Sequence, residues 1–142
     1  MLERENQSSK NLFLVRGLTV VAAINCVIVP VLFAQQRPLF PLPGLYLIEI
    51  AVLGIFGLTG LLLVESASPF WRAVPWVVAG ALLAFVILGG FTIGFFLIPA
   101  TVAFSLASVL LNRIEKGPLS KYIGLLLIAT ILQATLIILL AQ

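Results

Sequence analysis

The sequence contains no histidine and no aspartate, a single cysteine (Cys26) and no methionine beyond Met1. Without histidine, and with a lone thiol, it has no ligand set for histidine-bound haem or for histidine- or multi-cysteine zinc. Ser-His-Asp and Cys-His catalysis are excluded on the same ground. The missing aspartate removes the aspartate-held metal sites that handle phosphate, and no GxxxxGK[ST] phosphate loop is present. One cysteine permits no disulfide within the chain. Charge is also scarce: only 9% of the residues are charged, against about 25% in a soluble domain. With 62% of its residues hydrophobic, the chain lacks the polar surface to enclose a core in water, and lipid is the solvent it requires.

What is present is long apolar sequence. Residues Ala73 to Asn112 form a run without one charged side chain. As one helix that run would extend about 60 Å, twice the roughly 30 Å of a bilayer's hydrocarbon core. Its middle reads Gly89-Gly90-Phe91-Thr92-Ile93-Gly94, with Pro99 shortly after. Glycine clusters are where helices stop and chains turn, so the run is expected to be two spans joined by a tight hairpin. A pore-lining re-entrant loop is the alternative, but Thr92 is the segment's only polar side chain.

The rest of the chain divides on the same logic. Residues 1–10 are a short polar tail, and the first span is expected over 11–34, with a kink near Pro30. A cleaved leader is disfavoured by Glu3 and Glu5 and by the poor cleavage site Val31-Leu-Phe-Ala34. Pro38, Pro41 and Pro43 make 35–44 an extended loop. Further spans are expected at 45–64, 71–88, 95–111 and 122–140. With five spans, Arg4, Lys10, Arg16, Arg72, Arg113, Lys116 and Lys121 fall on one side and only Arg37 on the other. The positive-inside rule then puts the N-terminus in the cytoplasm and the C-terminus outside. Trp71, Trp76 and Tyr122 fall at inner span ends and Tyr46 at an outer one, where amphipathic rings favour the interface.

Few residues are equipped for chemistry. All five acids are glutamates, and only Glu49 lies inside an apolar span, where a charge costs about 2.5–3.5 kcal/mol at the helix centre. It reads either as a structural group, favoured by the helix dipole and paired with Arg37, or as a proton- or cation-binding site. Asn25 and Gln133 lie at similar depth in the first and last spans. They are expected to form an amide clip between those spans, or else a polar contact to a bound molecule. Small residues recur at close-packing intervals: Ala51, Gly54, Gly57 and Gly60, then Gly80 and Ala84, then Ala103 and Ala107. So many stripes on five helices suggest a partner subunit or a homo-oligomer.

The expected architecture is all-α: a single transmembrane domain of five helices with short loops. The overall pattern is similar to that of small multi-pass bacterial membrane proteins, which implies a plasma (inner) membrane, and no functional residue is carried over from that likeness. The expected role is that of a non-catalytic accessory or structural subunit of a larger membrane complex, with no cofactor and no nucleic acid among its ligands. A small oligomeric transporter or channel using Glu49 is the alternative. Arg72, Arg113, Lys116 and Lys121 would form a rim for anionic lipid head groups.

Overall fold

The structure is a computed structural model that describes residues 2–35, 42–63, 69–90, 93–115 and 118–140. It consists of five helices: α1 (Leu2–Ala34), α2 (Leu42–Leu63), α3 (Pro69–Leu88), α4 (Ile93–Glu115) and α5 (Leu119–Leu140). All five are long and apolar enough to cross a membrane. In hydrocarbon the backbone must satisfy its own hydrogen bonds, which is why these segments are helical despite their β-branched content.

Most helix ends lie beyond the sequence expectation. Helix α2 ends at Leu63 rather than 64 but begins at Leu42, so residues 42–44 are helical rather than part of the extended loop expected over 35–44. Proline is tolerated in a helix's first turn. The polar tail continues α1 back to Leu2, and the helix runs through Pro30. The turn between α4 and α5 is short, since α4 reaches Glu115 and α5 begins at Leu119. The hairpin is where the glycines put it. Gly89 N–H donates to the Phe85 carbonyl and Gly94 N–H to the Gly89 carbonyl, both at 2.8 Å. A Cβ on Gly94 would come within 2.7 Å of the Gly89 carbonyl oxygen, so the close return of the chain needs glycine there.

The first four helices close a ring in chain order: α1 packs on α2 and α4, and α3 packs on α2 and α4. Phe104 of α4 fills the centre, fully buried, with its ring edge against Gly57 of α2. Helix α5 stands outside this ring, packed mainly on α3, and contributes no buried residue. The two are parallel: Trp76 stacks on Tyr122 at 5.9 Å, and Gly80 meets Leu126 four residues along each helix. Trp76 is thus buried at the base of the α3–α5 contact. Along the ring, neighbouring helices alternate in direction. Arg16, Arg72, Arg113 and Lys121 therefore share the end opposite the Gly89–Gly94 hairpin.

The small-residue stripes are consumed inside the chain. Gly54 abuts Cys26 of α1, Gly60 abuts Val74 of α3, and Gly80 receives the Leu126 backbone of α5. Ala84, Ala103 and Ala107 are buried. Helices in lipid gain no hydrophobic drive from pairing, so van der Waals contact at such close approaches is what holds them. The stripes accordingly no longer argue for a partner. Gly17 and Gly124 are different, with nothing within 4 Å of a Cβ added at either.

This contrast is testable. Gly80→Ala puts a methyl into the Leu126 backbone, and overpacking of that kind costs about 1–3 kcal/mol. Gly124→Ala meets only open space and is expected to be neutral or stabilising by up to about 1 kcal/mol. Thermal unfolding of the two variants in detergent micelles checks the difference. Equal midpoints would remove the α3–α5 packing account.

Candidate functional site

Glu49 lies seven residues into α2, counted from Leu42. The helix dipole acts over about the first turn, so it gives this carboxylate little support. Its partner comes from α5 instead: the Gln133 Nε2–H donates to Glu49 Oε1 at 2.7 Å. A carboxylate only accepts, which fixes the amide orientation. The two helices meet with matched register, because Gln133 is seven residues from the end of α5 at Leu140. One turn towards the hairpin end, Tyr46 Oη reaches the Ile137 carbonyl at 3.4 Å, a long contact. Glu49 and Gln133 are both half-buried.

The surroundings are apolar. Below the bridge an open groove of about 440 Å³ runs between α2 and α5 over the face of α3, lined by Leu53, Val77, Ala81 and Leu125 and bordered by Gln133. Towards the hairpin a second hollow of about 190 Å³ lies among Tyr46, Ile50, Phe85 and Ile137. Tyr46 and Phe85 meet edge to face there, at 6.1 Å. Helix α5 therefore leans on α3 and reaches α2 through polar side chains across a cleft. On the α3 side the Thr130 hydroxyl lies between two carbonyls, Leu126 of its own helix at 2.9 Å and Gly80 of α3 at 3.0 Å.

The expected clip between Asn25 and Gln133 does not form. Gln133 is engaged by Glu49, and α5 is packed on α3 rather than on α1. The two amides also meet α2 at different heights: Cys26, beside Asn25, abuts Gly54, whereas Gln133 reaches Glu49, five residues nearer the start of that helix. Asn25 Oδ1 is buried with no hydrogen-bond partner among the described residues. The hydroxyls behave otherwise: Thr19, Thr101 and Ser108 each bond the carbonyl four residues back in their own helix, the usual recourse of a hydroxyl in a span. An asparagine has two polar atoms to satisfy.

The proposed pairing of Glu49 with Arg37 lies outside the described residues, as does the side chain of Lys116. Of the remaining rim residues, Arg113 and Lys121 are exposed, and Arg72 is half-buried and engaged by other groups. The Glu49–Gln133 bond was not legible in the sequence as a pair. Counting residues from the nearest cation matched Gln133 to Asn25, whereas which helices are neighbours, and at what height, gives Gln133 to Glu49.

Losing the donor should cost more than neutralising the acceptor. Gln133→Leu leaves a carboxylate in an apolar cleft and is expected to lower stability by about 1–2 kcal/mol. Glu49→Gln retains a carbonyl that accepts from Gln133 and should cost less than half as much. Unfolding in mixed micelles titrated with a denaturing detergent measures both. A larger loss for Glu49→Gln would contradict the bridge as the α5 fastening.

No protein-family model matches this sequence, and no curated protein and no solved structure matches it.

Proposed function

We propose that this chain is a non-catalytic subunit that supports the assembly of a larger membrane complex. The observation that carries this reading is the bond between Glu49 and Gln133. The one acid within the spans is engaged by an amide from a peripheral helix, and in that arrangement it fastens α5 to the ring. Histidine and aspartate, on which Ser-His-Asp catalysis and histidine-held metal sites depend, are missing from the sequence. The one-sided packing of α5 agrees, since its far side, with Ile131 and Leu139, is free for lipid or for another chain. In this reading the chain sits in a bacterial plasma membrane with its N-terminus in the cytoplasm. The exposed Arg113 and Lys121 then meet anionic head groups or a cytoplasmic partner. A reporter fused after Gln142 is expected on the outer side, and a cytoplasmic signal from it would reverse the orientation.

A second reading, a transporter using Glu49, is favoured by one observation: the bridge borders an open apolar groove, with a second apolar hollow towards the hairpin. Gentle solubilisation from native membranes, a native gel and mass spectrometry distinguish the two. Reproducible migration with other subunits is expected. A chain that runs alone or only with itself sinks the accessory reading. Flux in reconstituted vesicles that Glu49→Gln abolishes, with assembly intact, would establish the transporter instead.

A further inference from the structure

The groove beside α5 has the dimensions of a single hydrocarbon chain. On α5 it is lined by Leu125, Ile128, Ala129, Leu132 and Leu136, which share one face of the helix. From Leu125 to Leu136 that stripe rises about 16 Å, against about 15 Å for half of a bilayer's hydrocarbon core. A volume of about 440 Å³ over a rise of about 16 Å leaves a section of about 27 Å². A helix about 10 Å across needs about 80 Å², so an extended hydrocarbon chain fits and a helix does not. Helix α3 closes the back at Val77 and Ala81, and the Glu49–Gln133 bond crosses the cleft near its hairpin end.

The same stripe continues to a cation. Lys121 lies four residues before Leu125, one turn below it on the same face of α5. It is exposed, and it is the one charged residue between Leu119 and Leu140. The Trp76–Tyr122 stack lies beside it at the foot of the groove. At the hairpin end no basic side chain stands among the described residues, since Arg16, Arg72, Arg113 and Lys121 all lie opposite. The groove is therefore apolar along its length and positive at one end, and that end is where the span Leu119–Leu140 begins.

We infer that this groove binds one acyl chain of an anionic membrane lipid, whose phosphate is held by Lys121. The length and section of the groove select a single chain, and the charge at its foot selects the head group. The lysine stem lies along apolar surface while its ammonium stays at head-group level, which places the phosphate at the start of the stripe and the chain along it. A neutral lipid fills the same groove but gains nothing at Lys121. One basic side chain near the membrane surface confers a preference of about five-fold for an anionic head group. The bound chain then gives α5 close contact on the side where it meets α2 only through polar side chains. The site does not depend on the accessory role, and the leaflet it faces follows the orientation proposed above.

The test titrates the full chain, delipidated in a mild detergent, with dioleoyl phosphatidylglycerol and separately with dioleoyl phosphatidylcholine. Native mass spectrometry counts the lipid bound. One phosphatidylglycerol per chain is expected, held about five-fold more tightly than phosphatidylcholine. Lys121→Gln is expected to bring that ratio close to one, and Lys121→Arg to keep it. Ile128→Phe enlarges an exposed lining residue into the groove and is expected to weaken both lipids. Arg113→Gln, a cation at the same end on α4, and Leu127→Phe, on the opposite face of α5, are expected to change neither. Circular dichroism checks that each variant is folded, and Leu132→Phe replaces Ile128→Phe if that chain does not fold. Equal affinity of the native chain for the two lipids would overturn the inference, because bulk lipid then fills the groove without selection. So would a preference that survives Lys121→Gln, or binding of both lipids that the filled groove leaves unchanged. Co-migration with other subunits bears on the accessory role alone, so the two proposals fail separately.

Discussion

Lipid withdraws the main force that folds soluble proteins. Between helices in hydrocarbon there is no gain from hiding apolar surface, and what remains is contact at close range and the few hydrogen bonds that polar groups can find. The ring of α1 to α4 follows from that constraint. Gly54, Gly57 and Gly60 take three different partners, Cys26, Phe104 and Val74, on α1, α4 and α3. One drifting row of glycines on α2 therefore serves three neighbours. The three-residue interval, shorter than a helical turn, is what rotates the row from one neighbour to the next.

The fifth helix shows the constraint from the other side. It cannot be drawn into the bundle by apolarity, because apolar residues surround it on every face. Its attachment consists of specific devices: the Trp76–Tyr122 stack, the Leu126 backbone seated on Gly80, the Thr130 hydroxyl on the Gly80 carbonyl, and the Gln133 amide on Glu49. Three of these involve α3; the Gln133 bond, with the long Tyr46–Ile137 contact, reaches α2 across an open groove. A helix held in this way is the part of the fold whose position depends most on single side chains.

Polar side chains within the spans divide by what they can satisfy alone. Threonine and serine hydroxyls fold back on their own helix and need no neighbour. A carboxylate and an amide need a partner from elsewhere, and Glu49 and Gln133 find one another. Asn25 Oδ1 is buried and finds no partner among the described residues.

The sequence by itself determined the solvent, the number of spans and the hairpin. Each is a local property: a hydrophobic run long enough to cross, a charge at its end, a glycine cluster where a run is twice too long. It also singled out Glu49, Asn25 and Gln133 as the long polar side chains within the spans. Only the tertiary structure decided who pairs with whom, that α5 lies outside the ring, and that the small-residue stripes are used up internally. The reason is the uniform apolarity of these helices. In water, an amphipathic stripe records which face turns inward. A helix that is apolar all round keeps no such record, so its rotation and its neighbours are set by close packing between residues far apart in the chain.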